Sequence, residues 1–459
     1  MAELTLDDLV IKASSHTPFF GVYLASHGII DSMCMCHASV GCKVKTQYHL
    51  VDHDGIEDAH NRRRYSQFID EDLIQGSTDQ LEDEIRAWQA RRNSQLVIID
   101  GSTPISLQAQ PMKPVIKRME EVTGVDVVHV DTRNYDDDLY AGWAQTIGTL
   151  LRRQEWPDES DANADEVSVL GYPFDRYESD NTANVAEIRR LLWALGFKAK
   201  AIAFAGERYE DFQQVVDARG HILLPYAHSQ AKVLRKLKRT QLKTGLPMSL
   251  AGTKSWLTAV GEHLGVSEAR VQAVISRETQ RIKRSFELAH RKLRGKKFAV
   301  FAEAPRAAGL IATMMEVGMV PVTVGVLHFS LGGRDAVQKA LREHHGIELP
   351  GFVKWVEDPT PAQVIALGKA ASSRPREGRK EANDLCSEHE GAPDVVGFEH
   401  ADVAIGTTIE REHLAAANVP WVEFGFPSEN HHCLFPSPWL GFNGALHVLQ
   451  RVMEALEKA

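Results

Sequence analysis

Cysteine is scarce in this chain, which has five cysteines among 459 residues. Five is an odd number, and a core of this size needs no disulfides for stability. The first ten residues, MAELTLDDLV, are acidic and amphipathic, and do not have the pattern of a secretory signal. We therefore expect a cytoplasmic protein whose cysteines are reduced.

Long apolar runs and an excess of positive charge are also missing. No stretch approaches the roughly 18 consecutive apolar residues that a membrane span requires, so no membrane partner is expected. The net charge of −10 and the pI of 6.1 argue against a nucleic-acid partner, which would favour a basic surface. With 43% hydrophobic and 25% charged residues, the composition is that of an ordinary soluble globular protein.

The usual nucleotide-binding motifs are absent too. The turn APRAAGL at 304–310 follows an apolar strand but lacks the G-x-G-x-x-G spacing that admits a pyrophosphate. The stretch AGTKSW at 251–256 resembles the end of a P-loop, yet no glycine directly precedes its lysine and Pro247 stands five positions before Gly252. We therefore do not expect this chain to bind ATP. The sequence also contains no H-E-x-x-H, nucleophile elbow or zinc-ribbon spacing.

What the sequence does contain is a regular alternation of short apolar runs with helical patterns. Continuous apolar runs are typical of strands buried on both faces of a parallel sheet. The predicted strands are 95–101, 125–131, 166–173, 198–206, 221–227, 296–303, 320–328, 394–398, 402–406 and 420–427. Helices are predicted at 185–196 and from Ser267 to Gly295. The pattern indicates an α/β fold of mostly parallel, doubly wound sheets repeated over more than one domain.

The length and the changes in composition predict three domains. We place an N-terminal α/β domain at 1–160, a middle α/β domain at 161–290 and a C-terminal α/β domain at 291–459. The polar, irregular stretch 371–393 is predicted to be an exposed insertion in the last of them.

Three of the five cysteines lie within the stretch DSMCMCHASVGCKVKTQ, residues 31–47. A nine-residue window of this chain would hold only about 0.1 cysteine by chance, so Cys34, Cys36 and Cys42 form an unusual cluster. Their Cys-x-Cys-x5-Cys spacing, with His37 inside it, is not a common zinc pattern. Zinc ligands, iron–sulfur ligands and buried structural cysteines all remain open interpretations of this spacing.

Several stretches together resemble the nitrogenase component 1 family, in particular its β-subunit type. The resemblance covers nearly the whole chain, in order. It is carried by HASVGCKVKTQ (37–47), GHILLPYAHSQAKVLRKL (220–237), GLPMSLAGTKSWLTAVGEHLG (245–265), 293–326, HADVAIGTT (400–408) and 420–456.

The resemblance implies three Rossmann-like domains around a metal site, paired with a homologous α-like subunit in an α2β2 heterotetramer. It also implies an iron–sulfur cluster, P-cluster-type or four-iron, shared with that subunit. Electrons would come from an ATP-hydrolysing homodimeric iron protein, which accounts for the missing P-loop. The catalytic site is expected in the partner chain, and we assign no catalytic acid or base here.

The departures from the family pattern concern the cluster ligands. Cys42 matches the family's cysteine in its Gly-Cys context. Where the family has an upstream and a downstream cysteine, this chain has Thr17 and Ser102 or Thr103. Cys34 and Cys36 are additional thiols. The resemblance therefore implies Cys42 as the first candidate ligand, followed by Cys36 and Cys34. It implies no role for Cys433, His431 or His432.

This altered ligand set favours, within the family, a β-like subunit of a methylthio-alkane reductase. The alternatives are a nitrogenase cofactor-assembly scaffold and a β-like subunit of a (proto)chlorophyllide reductase. A zinc-stabilised or metal-free protein that only shares the fold is a further hypothesis.

Overall fold

The computed structural model describes most of the chain as two compact units. The described residues are 17–39, 42, 62–102, 105, 110–132, 137–157, 163–173, 176, 178–359, 361–372 and 397–458. One unit comprises the described parts of 16–181 with 196–244, and the other comprises those of 182–195 with 245–459. Two parallel sheets lie in the first unit and one lies in the second. The predicted fold class is therefore confirmed.

The first sheet has the strand order β2-β1-β3-β4. Its strands are β1 (Ser32–His37), β2 (Arg63–Tyr65), β3 (Leu96–Gly101) and β4 (Asp126–Val130). The helices in this part of the chain are α1 (Pro18–His27), α2 (Asp70–Gln75), α3 (Thr78–Gln89), α4 (Met112–Thr123) and α5 (Leu139–Arg153).

The second sheet has the strand order β6-β5-β7-β8. Its strands are β5 (Asn163–Leu170), β6 (Lys198–Ile202), β7 (Ala218–Leu223) and β8 (Gln241–Lys243). The helices of this stretch are α6 (Ser179–Leu195), α7 (Tyr209–Gln213) and α8 (Ala231–Lys236), with short 3₁₀ turns at Gln214–Asp217 and Pro225–Gln230.

The third sheet has the strand order β11-β10-β9-β12-β13. Its strands are β9 (Lys297–Glu303), β10 (Val320–Leu327), β11 (Lys354–Glu357), β12 (Val403–Gly406) and β13 (Trp421–Glu423). The helices are α9 (Leu250–His263), α10 (Glu268–Leu293), α11 (Ala304–Met315), α12 (Arg334–Ala340), α13 (Pro361–Ser372), α14 (Thr408–His413) and α15 (Gly441–Glu457). Short turns lie at Phe329–Leu331, Leu341–His345, Phe398–His400 and Ala415–Ala417. Within the described residues, no helix has both the length and the low polarity needed to cross a membrane.

The apolar runs predicted most of the strands, but four strands were missed. These are β1, β2, β8 and β11. The strand predicted at 394–398 is not seen at its described end, because Phe398 begins a 3₁₀ turn; residues 394–396 lie outside the described residues. Each sheet falls inside one of the three predicted domain ranges, whose boundaries stay a prediction. Residues 373–393 of the predicted insertion, including Cys386, also lie outside the described residues.

The face of the first sheet that meets α3 and α4 is an apolar core. Met33 and Met35 on β1 pack there with Val97 and Ile99 on β3 and with the buried side of both helices. Burial of a methionine or isoleucine side chain stabilises a fold by about 1.5–3 kcal/mol relative to exposure. This core fixes which residues of β1 and β3 point to the opposite face of the sheet, since side chains alternate along a strand.

Helices α1 and α5 touch backbone to backbone at two glycines. A Cβ atom placed on Gly142 would lie 1.9 Å from the carbonyl oxygen of Pro18, and one on Gly21 would lie 1.7 Å from that of Leu139. Backbone atoms in a helix cannot turn aside as a side chain can. These glycines therefore set the distance between the two helices.

We expect Gly142→Ala to destabilise the protein by about 2 kcal/mol or more, because the added methyl group forces the helices apart. The control is Gly148→Ala on the same helix, where the new methyl would meet the flexible end of the Gln230 side chain. That change gains helix propensity of about 1 kcal/mol and leaves room for adjustment. Urea unfolding of both variants measures the difference, and equal stabilities would contradict the packing argument.

Buried His221 joins two strands of the second sheet. Its Nδ1 lies 2.7 Å from the Ser168 Oγ, and the two residues are register partners on β7 and β5. Burial, followed by the charge of Arg239, lowers the pKa of His221 to about 3. The folded protein therefore holds this imidazole neutral.

We expect a part of the stability to depend on the neutral state of His221. An unfolded histidine has a pKa of about 6.5. The contribution of His221 is complete above that value and is lost as the pH falls from 6.5 towards 3, by up to about 1.4 kcal/mol per pH unit. The slope of the unfolding free energy against pH reports the number of protons taken up on unfolding. His221→Asn should lower that number by about one over this window. A slope equal to that of the wild type would contradict this assignment.

Candidate metal centre

The stretch SMCMCH forms the buried strand β1, between β2 and β3. Met33 and Met35 point into the apolar core, so Cys34 and Cys36 share the other face of the sheet. Their exposures are 1% and 0%. The alternation of side chains along an extended strand therefore brings two of the three cysteines together.

The neighbouring strand adds a carboxylate to this pair. In the parallel register of β1 and β3, Cys36 is the partner of Asp100. Paired residues of adjacent strands point to the same face, so Asp100 lies beside both cysteines. The Sγ atoms of Cys34 and Cys36 are 3.7 Å apart, and one oxygen of Asp100 and both sulfur atoms lie within 4.8 Å of one another.

The three groups are strongly desolvated. Asp100 is 0% exposed, and neither of its carboxylate oxygens has a hydrogen-bond partner. Burial raises the pKa of Asp100 well above its ordinary value, and the neighbouring Cys34 and Cys42 raise it further. The pKa of Cys36 is raised by burial first, then by Cys34 and next by Asp100. Without a cation Asp100 and Cys36 resist ionisation, and a bound cation would reverse that preference.

Cys42 is separate from this strand and is half-buried. Its Sγ lies 4.0 Å from the Ser39 Oγ. It is close enough for its charge to raise the pKa of Cys36 and of Asp100. Its neighbours 40–41 and 43–61, including Gly41, lie outside the described residues.

The hydroxyl residues expected at the positions of two family cysteines differ in environment. Thr17 is exposed at the N-cap of α1, where its side chain makes no capping hydrogen bond. Ser102 follows β3 and is 3% exposed. Its backbone N–H donates to the carbonyl oxygen of His37, whereas its Oγ has no hydrogen-bond partner. Thr103 lies outside the described residues.

His37 points away from the cysteine pair and is held by two serines. Its Nδ1 lies 2.7 Å from the Ser66 Oγ and its Nε2 lies 2.9 Å from the Ser77 Oγ. Burial, followed by the charge of His129, lowers the pKa of His37 to about 4. Both ring nitrogens are therefore occupied in hydrogen bonds, which makes His37 a structural residue.

A buried cation shares the face of the cysteine pair. Arg63 on β2 is the register partner of Cys34, and its guanidinium lies 4.1 Å from the centre of the Tyr23 ring on α1. Burial lowers the pKa of Arg63 to about 10, which leaves the group positive at neutral pH. A positive charge on this face favours a negatively charged centre.

Cys433 and His431 form a contact between a sulfur atom and an imidazole ring. They lie in the segment between β13 and α15, where the Cys433 Sγ is 3.4 Å from the His431 Nε2. His432 is exposed. The geometry adds no third ligand from this segment.

The donor types on β1 and β3 fit a metal centre. Two thiolates bound to one tetrahedral ion at about 2.3 Å stand about 3.8 Å apart, close to the observed separation. Sequence reasoning identified the cysteines but missed Asp100. The signal that would have found it is a carboxylate at the end of the apolar run LVIID, next to a strand that carries cysteines.

The chain matches the nitrogenase component 1 type oxidoreductase family over residues 17–457. The nitrogenase molybdenum–iron protein β chain of Frankia alni is 26% identical over 210 residues, which cover 46% of this chain and 33% of that relative. The β chain of Azospirillum brasilense is 24% identical over 212 residues, which cover 46% of this chain and 34% of that one. The matched stretch thus spans about a third of the length of these curated relatives.

Solved structures show the same fold. Nitrogenase Cp1 at pH 6.5 has a TM-score of 0.77 and 17% identity, and the match covers 100% of this chain and 97% of that one. Nitrogenase Cp1 at pH 5 has a TM-score of 0.67 and 14% identity, and covers 98% and 89%. The predicted resemblance is therefore confirmed: the chain belongs to the nitrogenase component 1 type oxidoreductase family and is of its β-chain type.

Proposed function

We propose that this chain is the β-like subunit of a cytoplasmic nitrogenase-like reductase and binds an iron–sulfur centre shared with an α-like partner. The assembly would be an α2β2 heterotetramer that receives electrons from an ATP-hydrolysing iron protein. The observation that carries the proposal is the meeting of Cys34, Cys36 and Asp100 on one buried sheet face, with Cys42 nearby, in a chain of this family.

In this proposal Cys42, Cys36 and Cys34 supply the thiolates, and the centre supplies one-electron transfer. The residues of this chain bind the iron, hold it in place and exclude water from it. Burial and nearby charge tune the reduction potential of such centres. Arg63 supplies a positive charge on the same face, which favours the ionised thiolates.

The substrate reaction belongs to the partner's cofactor in this proposal. We infer reductive cleavage of the carbon–sulfur bond of methylthio-alkanes, in which an electron pair and a pair of protons yield methanethiol and the corresponding hydrocarbon. The support is the altered ligand set. Thr17 and Ser102 or Thr103 stand where the resemblance implies two cysteines, and Cys34 and Cys36 are additional thiols on β1.

The iron content of the complex tests the cluster. The chain is co-expressed with its α-like partner, purified without oxygen, and studied by iron counting and Mössbauer spectroscopy. We expect Cys42→Ala to lose most of the bound iron, and Cys34→Ala/Cys36→Ala to change the spectrum, because both remove thiolate ligands. The matched control is Cys433→Ala, which removes a half-buried cysteine outside this site and should leave the iron unchanged.

A wild-type complex without iron would overturn the proposed function. A four-iron signal that depends on Cys42 alone would favour a scaffold or a (proto)chlorophyllide reductase instead. The substrate is tested by measuring methanethiol released from a methylthio-alkane in the presence of the iron protein, ATP and a reductant. An iron-loaded complex that releases none would contradict the substrate proposal only.

A further inference from the structure

Asp100 is an unusual residue for the interior of a protein. It lies on a central strand at 0% exposure, and both of its carboxylate oxygens are without a hydrogen-bond partner. Burial of a polar group without a partner is costly, and burial of an unpaired carboxylate is more so. Buried acids are therefore normally paired, hydrogen-bonded or bound to a metal. Among the described residues, Asp100 has neither an ion-pair partner nor a hydrogen-bond partner.

What Asp100 does meet is the pair of thiols on β1. The side chains of Cys34 and Cys36 are on its own face of the sheet, and all three donors are fixed by strand register instead of by a loop. Donors on adjacent strands need little reorganisation to bind a common ion. The pairing of the two strands thus brings the three donors together.

The separation of the sulfur atoms fits two ligands of a single ion. At 3.7 Å the sulfurs are too far apart for a disulfide, whose S–S distance is about 2.05 Å. They stand close to the edge of a tetrahedron around a single ion, about 3.8 Å for metal–sulfur bonds of about 2.3 Å. Thiolates bound to two neighbouring ions would need the additional separation of those ions.

We infer that Cys34, Cys36 and Asp100 bind one transition-metal ion in common, with Asp100 as its oxygen ligand. This inference rests on the proposed function, in which that ion is an iron ion of the shared centre. Two thiolates and one carboxylate bring a charge of −3, which leaves a net charge of −1 around a divalent ion. The fourth tetrahedral position is free for a donor that does not come from these three residues.

A shared ion gives Cys34, Cys36 and Asp100 one common role. The chain has Thr17 and Ser102 or Thr103 where the resemblance implies two cysteines, and it carries two thiols beside a carboxylate inside the sheet. A carboxylate is a harder ligand than a thiolate, so the mixed set gives this ion a different environment from an all-cysteine site. If Cys34 and Cys36 were only structural thiols, no interaction would offset the cost of burying the Asp100 carboxyl group.

Cobalt binding to the 459-residue chain tests the ligand set without the partner. The metal-free chain is titrated with Co²⁺ in the absence of oxygen, and the thiolate-to-cobalt absorption reports tetrahedral binding. We expect one tightly bound cobalt ion, and at least about tenfold weaker binding in Asp100→Asn. Asp100→Cys should restore the binding with a stronger absorption, because it replaces the oxygen ligand with a third thiolate.

The control is Asp138→Asn, which changes a buried aspartate in the same unit. Asp138 caps α5 by accepting a hydrogen bond from the Tyr140 backbone N–H at 3.0 Å, a bond that asparagine can also accept. This variant should bind cobalt as the wild type does. Near-UV circular dichroism of each metal-free variant establishes that it is folded before the titration is interpreted.

Equal cobalt affinity in Asp100→Asn and the wild type, or no tetrahedral cobalt in the wild type, would overturn the inference. The iron-loaded complex provides the second measurement. A Mössbauer component that changes in both Asp100→Asn and Cys34→Ala/Cys36→Ala supports a shared iron ion. If the complex holds iron and its Mössbauer spectrum is unchanged in Asp100→Asn, this inference fails while the proposed function stands. If the wild-type complex holds no iron, the proposed function fails whatever the cobalt result.

Discussion

The register between β1 and β3 is the constraint on which the candidate site depends. Six consecutive residue pairs, from Ser32–Leu96 to His37–Gly101, hold the two strands in parallel. Because side chains alternate along each strand, the same register sends Met33 and Met35 into the apolar core and Cys36 and Asp100 to the opposite face. A slip of β1 by one residue would turn Cys34 and Cys36 into the core and expose the methionines to the site. The packing of α3 and α4 therefore selects the geometry of the donors.

The cost of this arrangement lies in desolvation. Burial raises the pKa of both Asp100 and Cys36, and each of them is raised further by the other acids nearby. A metal ion removes the penalty, because its charge stabilises the ionised ligands that the apolar surroundings disfavour. The nearby Arg63, stacked on Tyr23, carries a single positive charge and compensates only part of a ligand set of three acids. The electrostatics of the sheet face are thus unfavourable without a cation and balanced with one.

The sequence predicted the α/β fold and most of the central strands, because their continuous apolar runs are typical of parallel sheets. It failed where strands lack that signature. The strands β2 and β8, with sequences RRY and QLK, are short and polar, and each lies at one edge of its sheet. The strand β1 was missed for a different reason: methionine, cysteine and histidine have no strong strand preference. Asp100 was missed because its role exists only through pairing with β1, which no local pattern reveals.

The position of the donors also distinguishes this chain from the cysteine pattern that its resemblance to the nitrogenase component 1 family implies. In that pattern the cysteines stand outside the strands, at the start of the first helix, in a Gly-Cys segment and after the strand that ends in VIID. Here the first of these positions holds Thr17 and the last holds Ser102 or Thr103, and two thiols occupy the interior of β1. Donors inside a buried strand are fixed more rigidly than donors on its connecting loops, since backbone pairing on both sides holds them. The ligands of a centre bound there would have a fixed geometry and little contact with water, and they would adjust less than ligands on loops. Both properties favour a permanent electron-transfer role over the loose binding that a transferable cluster requires.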